Sequence, residues 1–277
     1  YLTAQLRDYH AQGYAYEQMA ILFRTNLGIR FVMDALMKGG IPFHMKDAIP
    51  NIFAHWISLD IIAYLRLVSG TGNTRANWLR IMNRPNRYIK REALAPFTSD
   101  ISVAQLKAYY QDKDWMLERL DRLEYDLSIM KRMSPYAAIH YLSNAMKYQD
   151  YLKDYAKEHH INEQELLDVL NAVHESSQSC RTFAEWFTYI DTYTEELQKQ
   201  AKSPASNDAN NESGVCLCTL HCAKGLEYPI VFIPDINEDN IPHARAAVDA
   251  DLEEERRLFY VGITRAKEHL HLYCVSE

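Results

Sequence analysis

The 277-residue sequence has no apolar run near the ~18 residues a membrane-crossing helix needs, and no basic-then-apolar leader. Neither membrane insertion nor secretion is expected. No internal repeat is present. No G-x-x-x-x-G-K-S/T occurs anywhere, and the glycine-bearing stretch SGTGNTRAN has no lysine after it and reads as a turn. No apolar strand ends in Asp-Glu, a pair that would hold Mg2+. Without a phosphate cradle and a metal carboxylate, the chain by itself is not expected to hydrolyse a nucleoside triphosphate.

Cysteine is scarce. The five thiols, Cys180, Cys216, Cys218, Cys222 and Cys274, are odd in number and argue for free thiols in a reducing cytoplasm. The run CLCTLHC lacks the CxxC spacing of a zinc knuckle and looks like strand, so its cysteines read as small core residues and no metal is expected. The net charge of −7 speaks against a uniformly basic surface. Acidic residues are nevertheless missing from Ile61 to Arg91, where Arg66, Arg75, Arg80, Arg84, Arg87, Lys90 and Arg91 form a basic stripe.

What is present is an ordinary globular composition, 48% hydrophobic and 24% charged, long enough for about two domains. The chain opens YLTAQLRDYH, without methionine, as a fragment of a longer protein would. MAILFRT suits a buried strand, NLGIRFVMDALMKGG a helix with a glycine stop, IPFH a short strand and LDIIAYLRLVSG an apolar helix ending at Gly70. The middle region reads as helix throughout. Met116, Leu120, Leu123, Leu127 and Met130 mark one amphipathic stripe; Ser134-Pro135, Asn162 with Glu165 and Thr182 with Glu185 mark helix starts; Phe183, Trp186, Phe187 and Ile190 read as core. KQAKSPASNDANNESG reads as a linker. Strand texture then returns in VCLCTL, PIVFIPDI and HLHLYCV, with DLEEERRLFYVGITRAKE as a helix between the last two. The economical arrangement is one α/β domain interrupted by an all-helical insertion.

Three constellations carry chemistry. TLHCAKGLEYP joins two apolar strands and puts polar groups beyond a strand's carboxyl end, where open α/β sheets bind ligands. His221 and Lys224 suit a phosphate backbone, Gly225 a close main-chain approach, and Glu227 a sugar hydroxyl or a base. In EEERRLFYVGITRAKE most charges suit a solvated face, but Arg265 follows an apolar run near a helix end, where its planar fork fits a transferring phosphoryl group. LFRTNLGIR sets Arg24, Asn26 and Arg30 after a strand.

These residues resemble a known family. TLHCAKGLEYPIVFI and EEERRLFYVGITRAKE are closely similar to motifs V and VI of the UvrD/PcrA/Rep-like superfamily 1 DNA helicases. AILFRTN with its following arginine, LDIIAYLRLVSG and WLRIMNRPNRY are similar to segments of the same family, in the same order. The resemblance implies a C-terminal half: residues 1–69 and 213–277 as the second RecA-like lobe of P-loop NTPase type, 70–198 as an inserted all-helical domain, and 199–212 as a linker. The first RecA-like lobe, expected before Tyr1, is then a partner of this one, and ATP and Mg2+ bind with that lobe's help. The resemblance also implies that Glu227 binds the ribose and Arg265 contacts the γ-phosphate, while Thr219, His221, Lys224, Arg24, Asn26 and Arg30 face single-stranded DNA. The implied activity is ATP-dependent 3′→5′ translocation and unwinding in the cytoplasm. The family's inserted domain carries a GIG turn for duplex DNA; here Tyr88-Ile89-Lys90 stand in its place, leaving Arg84, Arg87, Lys90 and Arg91 to hold phosphates. Two alternatives stay open: a subunit of a RecB/AddA-type helicase–nuclease, and a DNA- or partner-binding module that has no motor.

Overall fold

A computed structural model describes the chain except residues 47–49, 203–212, 238–239, 243–248 and 275–277. It divides into two compact units, 1–50 with 195–277, and 51–194.

The first unit is built on a five-stranded sheet in which every pairing is parallel: β1 (Met19–Phe23), β2 (Phe43–Met45), β3 (Val215–Thr219), β4 (Tyr228–Ile233) and β5 (Ala266–Leu272), in the order β2-β3-β1-β4-β5. The three central strands are continuous apolar runs because both faces of a parallel sheet are covered; all five residues of β1 are buried. One face packs Ala20, Leu22, Cys216, Cys218, Val231 and Ile233 with Leu258 of a late helix, so Cys216 and Cys218 are core residues, as their strand context predicts. Helices α1 (Leu2–Ala11), α2 (Asn26–Gly39) and α11 (Asp249–Ile263) belong to this unit. The α2 helix stops at Gly40, which takes the left-handed conformation (φ 62°).

The second unit is helical: α3 (Trp56–Ser69), α4 (Arg75–Ile81), α5 (Val103–Tyr109), α6 (Asp114–Met130), α7 (Pro135–Asn144), α8 (Tyr148–His159), α9 (Glu163–Ser176) and α10 (Phe183–Lys202), whose last residues from Glu195 count with the first unit. The caps read from sequence are present. Ser134 Oγ accepts from the Ala137 N–H, Asn162 Oδ1 from Gln164 and Thr182 Oγ1 from Glu185. Met116, Leu120, Leu123 and Met130 are buried, as is Trp186, whose indole N–H donates to Ser176.

Three boundaries differ from the sequence reading. The insertion begins at Asn51 rather than 70, because α3 buries nine of its residues within the helical unit, against α4, α9 and their neighbours. Its other boundary falls at Thr194 rather than 198, and the linker expected from 199 starts inside α10; residues 203–212 lie outside the described residues. The helix read through Glu268 ends at Ile263, and Ala266-Lys267-Glu268 open β5 instead.

The helical unit is organised around one buried carboxylate. Asp60 is fully buried on α3 and is met by Arg80 Nη1 (3.1 Å), Arg84 Nη1 (2.8 and 3.0 Å) and the Tyr148 hydroxyl (2.9 Å). Burial outweighs the pull of these donors and holds the Asp60 carboxyl above its usual range. Such a cluster fixes geometry more than it adds stability, but losing one member strands the rest. Asp60→Ala is expected to lower the unfolding free energy of this unit by about 3 kcal/mol. Asp60→Leu with Arg80→Met and Arg84→Met should recover most of that loss in denaturant melts.

Burial also depresses the pKa of His55, His174 and His271. The folded chain thus prefers the neutral rings. The stability they contribute is complete above the unfolded value of about 6.5 and is lost as pH falls through the lower folded values. Thermal melts across pH 5–8 should show this acid limb, and His271→Gln should flatten it.

Candidate functional site

Because the strands are parallel, they all start at one edge of the sheet and all end at the other. The residues singled out in the first unit divide between those edges.

At the carboxyl edge, Arg24 follows β1 and Thr219 closes β3. The Leu220 N–H donates to the Phe23 carbonyl at 2.8 Å and holds the two strand ends side by side. Thr219 then starts a tightly wound connection: its Oγ1 accepts from Cys222 N–H (3.4 Å), its carbonyl from Ala223 N–H (3.0 Å), and the Ala223 carbonyl from Leu226 N–H (3.1 Å). His221 and Lys224 project from these turns, exposed and without a bond to any described residue. Gly225 has φ 85°, and a Cβ there would meet nothing within 4 Å. Its lack of a side chain serves the left-handed turn and leaves the space beside it open.

Arg24 is not free. Its Nε and Nη2 grip both carboxylate oxygens of Glu255 on α11 at 2.6–3.1 Å, with side-chain exposures of 18% and 11%. Sequence reasoning missed Glu255 among its charged neighbours. Glu255, Leu258 and Gly262 share one helix face, the face that packs on the sheet, while Arg256 and Arg257 pair outward with Glu253 and Glu254. A Cβ on Gly262 would come within 2.4 Å of Leu220, so α11 can lie this close to the connection only with glycine there.

Asn26 opens α2, and its side chain lies outside the described residues. Arg30 corrects the expectation of an exposed DNA contact. It is 4% exposed, lies 4.4 Å from the Phe31 ring centroid, and none of its guanidinium nitrogens has a hydrogen-bond partner among the described residues.

At the amino edge, Glu227 immediately precedes β4 and Arg265 immediately precedes β5. The Tyr228 N–H donates to the Arg265 carbonyl at 2.9 Å, which brings the two residues together. The Arg265 guanidinium is fixed by three bonds, from Nε to the Val261 carbonyl, Nη1 to the Leu226 carbonyl and Nη2 to Thr264 Oγ1, at 2.9–3.0 Å. One N–H on each terminal nitrogen is left without a partner among the described residues. Glu227 is exposed and pairs with Lys267 at 3.1 Å; both are more than half exposed, so water competes readily for the pair. A planar cation held rigid beside an accessible carboxylate fits a phosphate and a sugar hydroxyl. Among the described residues no group of three His, Cys, Asp or Glu side chains is arranged to hold a metal ion.

In the helical unit, Arg84 and Arg87 are partly exposed and each makes bonds within the unit. Arg84 grips Asp60, and Arg87 Nη1 donates to the carbonyls of Ile81 and Pro85 while its guanidinium lies 5.8 Å from the Tyr64 ring centroid. Lys90 is exposed, as the sequence reading requires.

The chain thus combines a parallel α/β unit, whose two polar sheet edges are joined by one connection, with a helical unit inserted in its sequence. The whole chain, residues 1–277, matches the model of the UvrD-like helicase C-terminal domain, and it belongs to that family. It is 29% identical over 98% of its length to the ATP-dependent DNA helicase PcrA of Bacillus subtilis, and 28% identical over 98% to PcrA of Staphylococcus epidermidis. In each case it covers 38% of the relative, so the chain spans a little over a third of the length of these curated proteins. No helix among the described residues is long and apolar enough to cross a membrane.

Arg24→Ala would remove the two-pronged grip on the largely buried Glu255 carboxylate, and should cost about 2 kcal/mol of stability. His221→Ala and Lys224→Ala should stay within about 0.5 kcal/mol of the parent. Denaturant melts of the three variants check both statements; an unchanged Arg24→Ala midpoint would mean that the pair contributes nothing to the fold.

Proposed function

We propose that this chain is the second motor lobe and helical insertion of an ATP-dependent DNA helicase that moves 3′→5′ along one strand in the cytoplasm. The observation that carries the reading is the connection from Thr219 to Glu227. In eight residues it leads from the carboxyl edge of β3 to the amino edge of β4, roughly 20 Å away along a six-residue strand.

In this reading Thr219, His221 and Lys224 meet the phosphates of single-stranded DNA, with Asn26 beside them. At the opposite edge Glu227 accepts from the ribose hydroxyls and Arg265 directs its two remaining N–H groups at the γ-phosphate. ATP with Mg2+, when bound, supplies the free energy of phosphoryl transfer; the phosphate cradle and metal ligands come from a first lobe of the same protein. Arg265 is already oriented by Val261, Leu226 and Thr264, so little ordering remains when charge develops on the phosphoryl group. Arg265 also holds the Leu226 carbonyl, one residue before Glu227. A change in what Arg265 grips is therefore felt by the connection that touches DNA, which is the coupling a translocase requires.

The experiment uses the full-length protein. Arg265→Ala should lower DNA-stimulated ATP hydrolysis by about 10³-fold while nucleotide-free affinity for a single strand stays within about twofold. Lys224→Ala should weaken single-strand binding and reduce the slope of log affinity against log salt by about 0.7. Undiminished hydrolysis by Arg265→Ala would sink the assignment of that residue.

A further inference from the structure

The turn at residues 83–90 is pinned by a set of side-chain hydrogen bonds. Asn83 Oδ1 accepts from the N–H groups of Arg87 and Ile89, and its amide donates to the Ile89 carbonyl. The Tyr64 hydroxyl donates to the Arg84 carbonyl at 2.7 Å, and the Lys90 N–H donates to the Tyr110 hydroxyl at 2.7 Å. Asn86 Oδ1 takes the Tyr88 N–H at 3.0 Å. At the tip of this rigid frame sits Tyr88, with φ 60° and 59% exposed. A bulky side chain in the left-handed region costs about 1–2 kcal/mol that glycine avoids. The strain is therefore kept for an aromatic ring that this chain leaves facing solvent.

The ring does not stand alone. Arg119 on α6 has its guanidinium carbon 4.9 Å from the Tyr88 centroid and 5.1 Å from that of Trp115, one helical turn earlier. Trp115 is 49% exposed. Arg119 is exposed and has no ion pair among the described residues, although Glu118 adjoins it in sequence; neighbours in sequence point about 100° apart on a helix. Lys90 is exposed two residues beyond Tyr88. Two outward aromatic rings bridged by an unpaired planar cation, with a lysine alongside, match how single-stranded nucleic acid is held. Bases stack on ring faces, and guanidinium and ammonium groups take the phosphates. A protein partner would be expected to find a broader apolar surface than two rings joined by one guanidinium.

We propose that Tyr88, Trp115 and Arg119 form a stacking platform for unpaired nucleotides, with Arg119 and Lys90 holding the adjoining phosphates. The proposal rests on the DNA-motor reading above and adds a second strand-contacting surface, in the helical unit, that acts by stacking rather than by gripping duplex backbone.

The test uses the full-length protein with Tyr88→Gly, Trp115→Gln and Arg119→Gln. Glycine suits the φ at position 88, so the first variant keeps the turn and its melting point serves as the folding control. DNA probes are a single-stranded oligonucleotide, a fork with 5-iodouracil in its unpaired arm, and a blunt duplex. The expected results are photocrosslinks on Tyr88 or Trp115, and roughly tenfold weaker binding of the single strand and fork by the Tyr88→Gly, Trp115→Gln pair. Blunt-duplex affinity should stay within twofold. Equal losses on the blunt duplex would overturn the proposal in favour of a backbone contact. Unchanged DNA binding and no crosslink, with DNA-stimulated ATPase intact, would overturn it alone, and loss of a co-purifying protein in those same variants would reassign the surface to that partner. Absence of DNA-stimulated ATPase in the unsubstituted protein would instead remove the motor reading on which it rests.

Discussion

The grip of Arg24 on Glu255 decides where α11 lies, and much of the first unit follows from it. The pair joins the end of a central strand to the middle of the helix, largely out of water, where a misplaced charge has no cheap alternative. Two turns further on, Gly262 lets the same helix settle against Leu220, on the connection that leaves β3. The helix then ends, and Arg265 emerges at the start of β5 with its direction already determined. The geometry of the amino edge is thus set from the carboxyl edge, through a helix held at its middle and at its carboxyl end.

The helical unit uses the same device with a different result. Asp60 collects Arg80, Arg84 and Tyr148 on a fully buried carboxylate, and Tyr64 secures the following segment through the Arg84 carbonyl. Two arginines of the basic stripe, Arg80 and Arg84, are engaged in this internal network, while Arg66, Lys90 and Arg91 stay exposed.

Much of the architecture was legible because burial writes itself into local pattern. The central strands appear as unbroken apolar runs, the α6 stripe as a four-three alternation, and the stops at Gly40 and Gly70 as left-handed glycines. The α1 helix was not read; it buries only Leu6 and shows almost no stripe. The start of β5 was read as helix because an edge strand with Lys267, Glu268 and His269 exposed carries no apolar signature. Local pattern marks where α3 ends but not which core it joins, and that shifted the domain boundary. The site divides the same way. Motif spacing singled out Glu227 and Arg265, whereas the partner of Arg24 lies 231 residues away and that of Arg84 on the preceding α3, beyond any local pattern. The burial of Arg30 was likewise invisible, since nothing in NLGIRF distinguishes an inward arginine from an outward one.

The two borders of the sheet differ in a way that bears on the company this protein keeps with itself. On one side β2 is only three residues long, too short to template another chain. On the other, β5 carries exposed Lys267 and Glu268, its pairing with β4 is interrupted by a register shift between Tyr228 and Ile230, and Tyr14 on the adjoining segment hydrogen-bonds Glu268. A stub at one end and a charged, irregular rail at the other give the hydrogen-bonding ladder nowhere to continue. A lobe whose central strands are as apolar as any aggregating peptide is in this way kept from polymerising by the shape of its margins.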